Sequence, residues 1–373
     1  MKKVLIFSLA YYPHVGGAEV AVKEITDRLT DIEFHMVTMR FAAADAPQER
    51  VGNVLVHRIG QGSSKVHKFL FQFHAAWVAH KLHKKEKFDA TWAVMAHGAG
   101  VPAALFKIWH KDVPYILNLQ EGDPIAHIEK TMLPLWPLFV RAFTLADVVQ
   151  PLSTYLGAWA RTRGYKGPIE IIPNGVDVRQ FVGEPVPHQG VVLITTSRLV
   201  HKNAMDDVIA ALPMLPHVEF QILGTGSEED RLKALAKKLG VTERVKFVGY
   251  VDHAQLPEYL HKADIFIRPS RSEGFGASFV EAMAAGLPVI ATQEGGLADF
   301  LFDAKKNPDK APTGFAVDKN SPAQIAEAVK TILAQPQQAG EVVKNAQAMV
   351  QEKYDWDTVA RHMRERVFSK LFA

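Results

Sequence analysis

Glu273 and Glu281 flank a glycine-containing turn, Gly274-Phe275-Gly276-Ala277-Ser278. The apolar run Ile265-Phe266-Ile267 precedes them, and Ala282-Met283-Ala284-Ala285 with Gly286 reads as a helix and its cap. The pattern is strand, loop, helix. It puts Glu273 in the loop at the strand's carboxyl end and Glu281 on the first turns of the helix. Backbone N–H groups of the turn and the positive helix end then face one crevice, which favours a phosphate. A carboxylate on either side accepts hydrogen bonds from hydroxyl groups. An anion cradle flanked by hydroxyl acceptors describes a nucleotide-sugar better than a bare nucleotide.

Further clusters stand at strand exits. Arg198 and Lys202, in Ser197-Arg198-Leu199-Val200-His201-Lys202, can clamp a pyrophosphate, the guanidinium bidentately and the ammonium as a point charge. Gly16-Gly17, after Tyr11-Tyr12-Pro13, permits close backbone approach to a ligand, although a tight strand-to-helix turn has the same composition. The spacing is not that of the dinucleotide fingerprint. Gly224 in Leu223-Gly224-Thr225-Gly226 invites the same two readings. Val251, after Phe247-Val248-Gly249-Tyr250, borders a nucleobase in this arrangement.

Other features read as structural. Asp355-Trp356-Asp357 matches an acidic D-x-D metal motif, but acids at a helix start serve the cap and the dipole. No metal site is expected. His67, His74, His80 and His83 lack a zinc-helix spacing. The stretch Lys65 to Lys87 mixes Phe69, Leu70, Phe71, Phe73 and Trp77 with Lys and His. It suits a membrane surface, while the commoner arrangement packs such aromatics inward, and that is the expectation here.

Composition bounds the partners. Lys+Arg of 43 against Asp+Glu of 40 leaves a charge of +3, too small for a nucleic-acid field. Zero Cys excludes thiol nucleophiles and disulfides and suits a reducing cytoplasm. Met1-Lys2-Lys3 runs into the short run Val4-Leu5-Ile6-Phe7, which reads as a first strand and not as a signal peptide. The longest apolar stretch, Met132 to Val149, is broken by two prolines, Arg141 and Asp147, so no membrane span is expected.

The 373 residues that position these groups alternate short β-rich runs with helical patterns, which predicts parallel α/β layers. The first half carries strands near 3–9, 34–39, 54–59, 89–95, 114–119, 147–152 and 169–173, with helices near 18–29, 65–84, 99–110, 127–144 and 155–163. Gly183 to Gly190 reads as a linker. Strands near 191–197, 218–223, 245–249, 265–269 and 288–292 then alternate with helices near 205–214, 228–239, 256–262 and 278–285, and helices near 322–334 and 340–353 follow. The expected domains are 1–182, with 356–373 returning to it, and 183–355. A ligand between two such halves lies near the strands' carboxyl ends.

Taken together, these residues resemble the retaining glycosyltransferases of the GT4 family, with its GT-B fold of two Rossmann-like domains facing across a cleft. Gly16-Gly17-Ala18-Glu19 is similar to the family's glycine loop, and Pro173-Asn174-Gly175-Val176-Asp177 with Phe181 to its interdomain motif. Arg198 and Lys202 match its phosphate clamp, and Glu273 and Glu281 its E-x7-E motif. The resemblance implies transfer of a UDP- or GDP-linked sugar to a glycan, glycolipid or polysaccharide precursor, without metal or cofactor, at the inner membrane face. It assigns catalysis to Arg198, Lys202 and Glu273, and donor binding to Gly16, Gly17, Gly224, Val251, Phe275, Gly276, Ala277, Ser278 and Glu281. A last helix crossing back to the first domain is implied as well. One departure stands out: Gln120, in Leu119-Gln120-Glu121-Gly122-Asp123, replaces the family's usual His. His97, Gln120, Glu121 and Asp123 then form the acceptor side. The rival readings are a nucleotide-sugar epimerase or other GT-B enzyme, and a sugar-nucleotide-binding protein without catalysis.

Overall fold

The structure, a computed structural model, describes residues 1–372. The chain divides into two compact units, one of Met1–Gly175 with Trp356–Ala373, the other of Val176–Asp355. Residues 176–182, expected with the first domain, pack in the second unit. The Val176 N–H donates to Tyr354 O at 2.7 Å, and the fully buried Phe181 lies edge-on to His253.

The first unit is built on seven strands, β1 (Lys2–Phe7), β2 (Ile32–Met39), β3 (Gln48–Val51), β4 (Val54–Ile59), β5 (Ala90–Val94), β6 (Tyr115–Leu119) and β7 (Val148–Pro151). Their order is β3-β4-β2-β1-β5-β6-β7, and all pairs are parallel except β3–β4. Continuous apolar runs such as Val4–Phe7 are fully buried, as a sheet covered on both faces requires. Helices α1 (Gly17–Arg28), α2 (Lys65–Glu86), α3 (Val101–Trp109), α4 (Ile125–Met132), α5 (Trp136–Thr144) and α6 (Thr154–Thr162) connect them. The terminal segment from Trp356 buries Trp356, Val359, Met363, Val367 and Phe368 against Val4, Ile6 and Phe34, a spacing that keeps one helical face on the sheet.

Two expectations are corrected here, and one strand was not foreseen. The run 169–173 forms only a single bridge, Ile169 to Val149, between Pro168 and Pro173, which cannot donate to a ladder. The helix expected over 127–144 is divided at Leu133–Leu135, where Pro134 and Pro137 interrupt it. The polar antiparallel edge strand β3 had no apolar run to announce it.

The second unit has six strands, β8 (Val191–Thr196), β9 (Val218–Leu223), β10 (Val245–Gly249), β11 (Ile265–Arg268), β12 (Val289–Ala291) and the two-residue β13 (Phe315–Ala316). The order is β10-β9-β8-β11-β12-β13, all parallel. Its helices are α7 (Val178–Phe181), α8 (Met205–Ala211), α9 (Glu229–Lys238), α10 (Leu256–Leu260), α11 (Ala277–Ala284), α12 (Pro322–Ala334) and α13 (Pro336–Lys353). In each unit the connections run outward in opposite directions from one adjacent pair, β1 and β5 in the first, β8 and β11 in the second. Open parallel sheets bind ligands at the carboxyl ends beside such a reversal.

Candidate active site

The reversal in the second unit gathers the residues singled out above. β8 and β11 pair side by side, Leu193 with Ile265 and Ile194 with Phe266. Arg198 follows β8 and Glu273 follows β11, so both leave the sheet at one crevice. Arg198 is exposed and Lys202 half-buried. Lys202 lies in a 3-10 turn, His201–Asn203, whose carbonyls are pinned by Arg271: its N–H donates to Lys202 O and its Nη1 to His201 O, both at 2.7 Å.

Gly276 caps α11 with φ +87°, and a Cβ there would strike the Phe279 ring at 2.6 Å, so the turn demands glycine. Ala277 and Ser278 open the helix. The Phe275 ring is buried, stacked on Tyr354 at 5.8 Å, so any donor contact there comes from its backbone. Glu281 sits on α11, 12% exposed at its side chain, and its Oε1 lies 3.0 Å from His253 Nε2. Val251, half-buried, is in the same loop as His253.

Gly224 has φ +136°, and a Cβ there would meet Ser197 O at 2.0 Å. Ser197 N–H donates to Leu223 O and Leu199 N–H to Thr225 O, each at 2.9 Å. The chain's own backbone thus accounts for the glycine, which holds the segment carrying Arg198.

Sequence reasoning missed Arg268, Arg271 and His253. Arg268 is buried at the end of β11, and its guanidinium reaches Glu273 Oε2 at 3.0 Å. Burial pushes its pKa down, and Glu273 and Glu281 act against that while Arg198 adds to it. One guanidinium therefore senses three of the four expected charges. A cation ending a buried apolar strand needs a buried partner, and that was a usable sequence signal. His253 offered none, because it meets Glu281 only in the fold.

In the first unit the reversal lies between β1 and β5. Gly16 caps α1, with its N–H donating to Glu19 Oε2 at 2.7 Å, and a Cβ on Gly17 would meet nothing within 4 Å. The chain itself does not require glycine at 17. After β5, Met95 has φ +69° and leads into a π-turn, Ala96–Gly100. Glu121 holds that strained turn, its Oε1 accepting from Ala96 N–H at 2.5 Å and lying 3.4 Å from His97 Nδ1. The buried Glu121 Oε2 has no hydrogen-bond partner among the described residues. Burial lowers the His97 pKa, but Glu121 and Asp123 outweigh it, and the net direction is upward. Gln120 is buried, and its Oε1 accepts from Asn174 Nδ2 at 3.1 Å. Asp123 is exposed.

Two features bear on metals and membranes. Among the described residues, Glu33, His35 and Glu86 bring ligand atoms within 4.8 Å of one another, but the Lys3 ammonium already sits 2.8 Å from Glu86 and 3.8 Å from Glu33. Asp357 is paired with Arg28 at 2.7 Å on the terminal helix. On α2 only Phe71 of the four aromatics expected inward is buried. Small residues, Ala75, Ala76 and Ala79, take the inner face beside Phe71, while Val66, Phe69, Leu70, Phe73 and Trp77 are exposed. Among the described residues no helix is long and apolar enough to cross a membrane.

Two family models match the chain, Glycosyltransferase Family 4 over residues 15–180 and Glycosyl transferases group 1 over residues 179–349. An uncharacterized glycosyltransferase of Methanocaldococcus jannaschii is 26% identical over 99% of this chain and 98% of its own. A GDP-mannose-dependent alpha-(1-6)-phosphatidylinositol monomannoside mannosyltransferase of Mycobacterium tuberculosis is also 26% identical, over 96% of each. The structure of Anabaena HepE in complex with UDP-glucose superposes with a TM-score of 0.80 at 21% identity, covering 99% of this chain and 100% of that one. The chain belongs to the group 1 glycosyl transferases, glycosyltransferase family 4, and its two parallel-sheet units are those of the α/β GT-B fold.

Proposed function

We propose that this glycosyltransferase is retaining and metal-independent, and moves a sugar from a UDP- or GDP-linked donor to a glycan, glycolipid or polysaccharide precursor. The observation that carries this reading is the convergence of Arg198, Glu273 and Glu281 on the β8–β11 reversal around Arg268. The mycobacterial relative's name supplies a nucleotide-sugar donor and a lipid-linked acceptor.

In this reading Arg198 and Lys202 stabilise charge growing on the leaving diphosphate, together with the backbone N–H groups that open α11. Glu281 binds the ribose hydroxyls and Glu273 the sugar hydroxyls. The acceptor oxygen bonds to the anomeric carbon from the leaving group's face as the bond to the diphosphate breaks. A phosphate oxygen takes the acceptor's proton. The two cations supply the charge that a divalent ion otherwise brings, and no cofactor enters. Gly17 leaves room for a ligand at the start of α1, and Val251 borders the base. The strained turn at Met95, with His97, Gln120, Glu121 and Asp123, shapes the acceptor side.

Helix α2 gives the protein a peripheral place at the cytoplasmic membrane face. Lys65–Lys85 contains five lysines and no acid beside the exposed aromatic stripe, which complements an anionic bilayer. The deciding experiment is a thermal-shift panel of UDP, GDP, ADP and their sugars, followed by NMR of the product's anomeric configuration with and without EDTA. An inverted product, EDTA-sensitive turnover, or donor conversion without acceptor each rejects the reading.

A further inference from the structure

Arg268 makes four contacts from one buried position. Nη1 donates to Thr196 O at 3.1 Å and to Ser278 Oγ at 2.8 Å. Nη2 donates to Glu273 Oε2 at 3.0 Å, and Cζ lies 4.2 Å from the centre of the Phe279 ring. Thr196 is the last residue of β8, just before Ser197-Arg198, and Ser278 and Phe279 lie in the first turn of α11. One rigid side chain thus ties the strand exit that carries Arg198, the Glu273 carboxylate and the helix that carries Glu281. Its buried Nε has no hydrogen-bond partner among the described residues. A buried guanidinium with an unmet donor is costly, and an apolar residue here would extend Ile265-Phe266-Ile267 at less expense.

We propose that Arg268 is a positioning residue of the donor site, resting on the reading of that site given above. The fork commits Glu273 Oε2, so a sugar hydroxyl meets a carboxylate whose rotation is already fixed. A lysine cannot replace it, because the acceptors are met by two separate nitrogens of a rigid planar fork, whereas an ammonium offers one nitrogen on a flexible stem. Misplacing a reacting group by 1 Å costs about 10²-fold in rate.

The test uses the full chain with Arg268→Lys, Arg268→Met, Glu273→Gln and the Arg268→Met/Glu273→Gln double variant. The readouts are melting temperature, the dissociation constants of UDP and GDP, and kcat at saturating donor. Arg268→Lys keeps the charge and is expected to fold, with kcat reduced about 10²-fold and nucleoside diphosphate binding within about threefold of wild type. The double variant is expected to be no slower than the slower single variant, because Arg268 acts through Glu273. Multiplying losses in the double variant, or near-normal kcat in Arg268→Lys, overturn the proposal. Should Arg268→Met fail to fold, Arg268→Lys in the Glu273→Gln background decides by the same criterion. Near-normal transfer in Glu273→Gln alone overturns the underlying site reading, a separate result.

Discussion

His253 Nε2 lies 3.0 Å from Glu281 Oε1, bridging the loop after β10 and helix α11. The histidine side chain is 57% exposed and the glutamate 12%. The pair is therefore solvent-screened and weak, worth about 0–1 kcal/mol, and it orients the carboxylate proposed to meet the ribose. His253→Ala is expected to raise the donor KM by no more than about fivefold. Glu281→Ala removes a charged acceptor of hydrogen bonds, about 1.5–3 kcal/mol, and should raise it about 10- to 100-fold. Equal effects of the two substitutions in steady-state kinetics contradict the ribose role.

In the proposed site Lys202 meets the diphosphate, while Arg271 secures the turn's backbone. Arg271 also reaches Asp206 and Asp207, each at 3.0 Å, and Asn320 at 2.7 Å. Lys202→Ala is thus expected to keep the fold and to lower kcat about 10²–10³-fold, some 2.7–4 kcal/mol. Turnover near wild type with an unchanged melting temperature removes Lys202 from the clamp.

His97 supplies a pH readout of the turn after β5. Burial alone lowers an imidazole pKa, and the Glu121 and Asp123 charges here carry it above its ordinary value. The folded pKa exceeds the unfolded one, so this group's stabilisation is complete below the ordinary histidine pKa and is lost as pH rises through the folded value. In Glu121→Gln burial regains weight and the His97 pKa should fall. NMR titration of the His97 ring checks the direction, and an unchanged midpoint rules out the coupling.

The α2 stripe predicts binding to vesicles of phosphatidylglycerol but not of phosphatidylcholine alone. Each lysine near the surface contributes about 1 kcal/mol, so each Lys→Gln change at 65, 68, 81, 84 or 85 should weaken binding roughly fivefold. Phe73→Ser and Trp77→Ser should abolish co-sedimentation and leave transfer to a water-soluble acceptor intact. Equal partition of wild type onto both vesicle types contradicts the electrostatic role.

Sequence alone determined the strand–helix alternation, because buried parallel strands are continuous apolar runs and their helices repeat every third or fourth residue. It also placed Arg198, Lys202 and Glu273 at strand exits and Glu281 on the helix that follows, since exits follow directly from the ends of those runs. The Arg268–Glu273 fork, the His253–Glu281 bridge and the Glu121 bond to the strained turn after Met95 were decided only by tertiary structure. So was the outward face of α2, where three alanines let the helix approach the sheet and left the larger side chains outside. The physical reason is range. Periodicity and turn chemistry act between near neighbours along the chain, whereas the partner of a buried charge is fixed by which strands lie side by side.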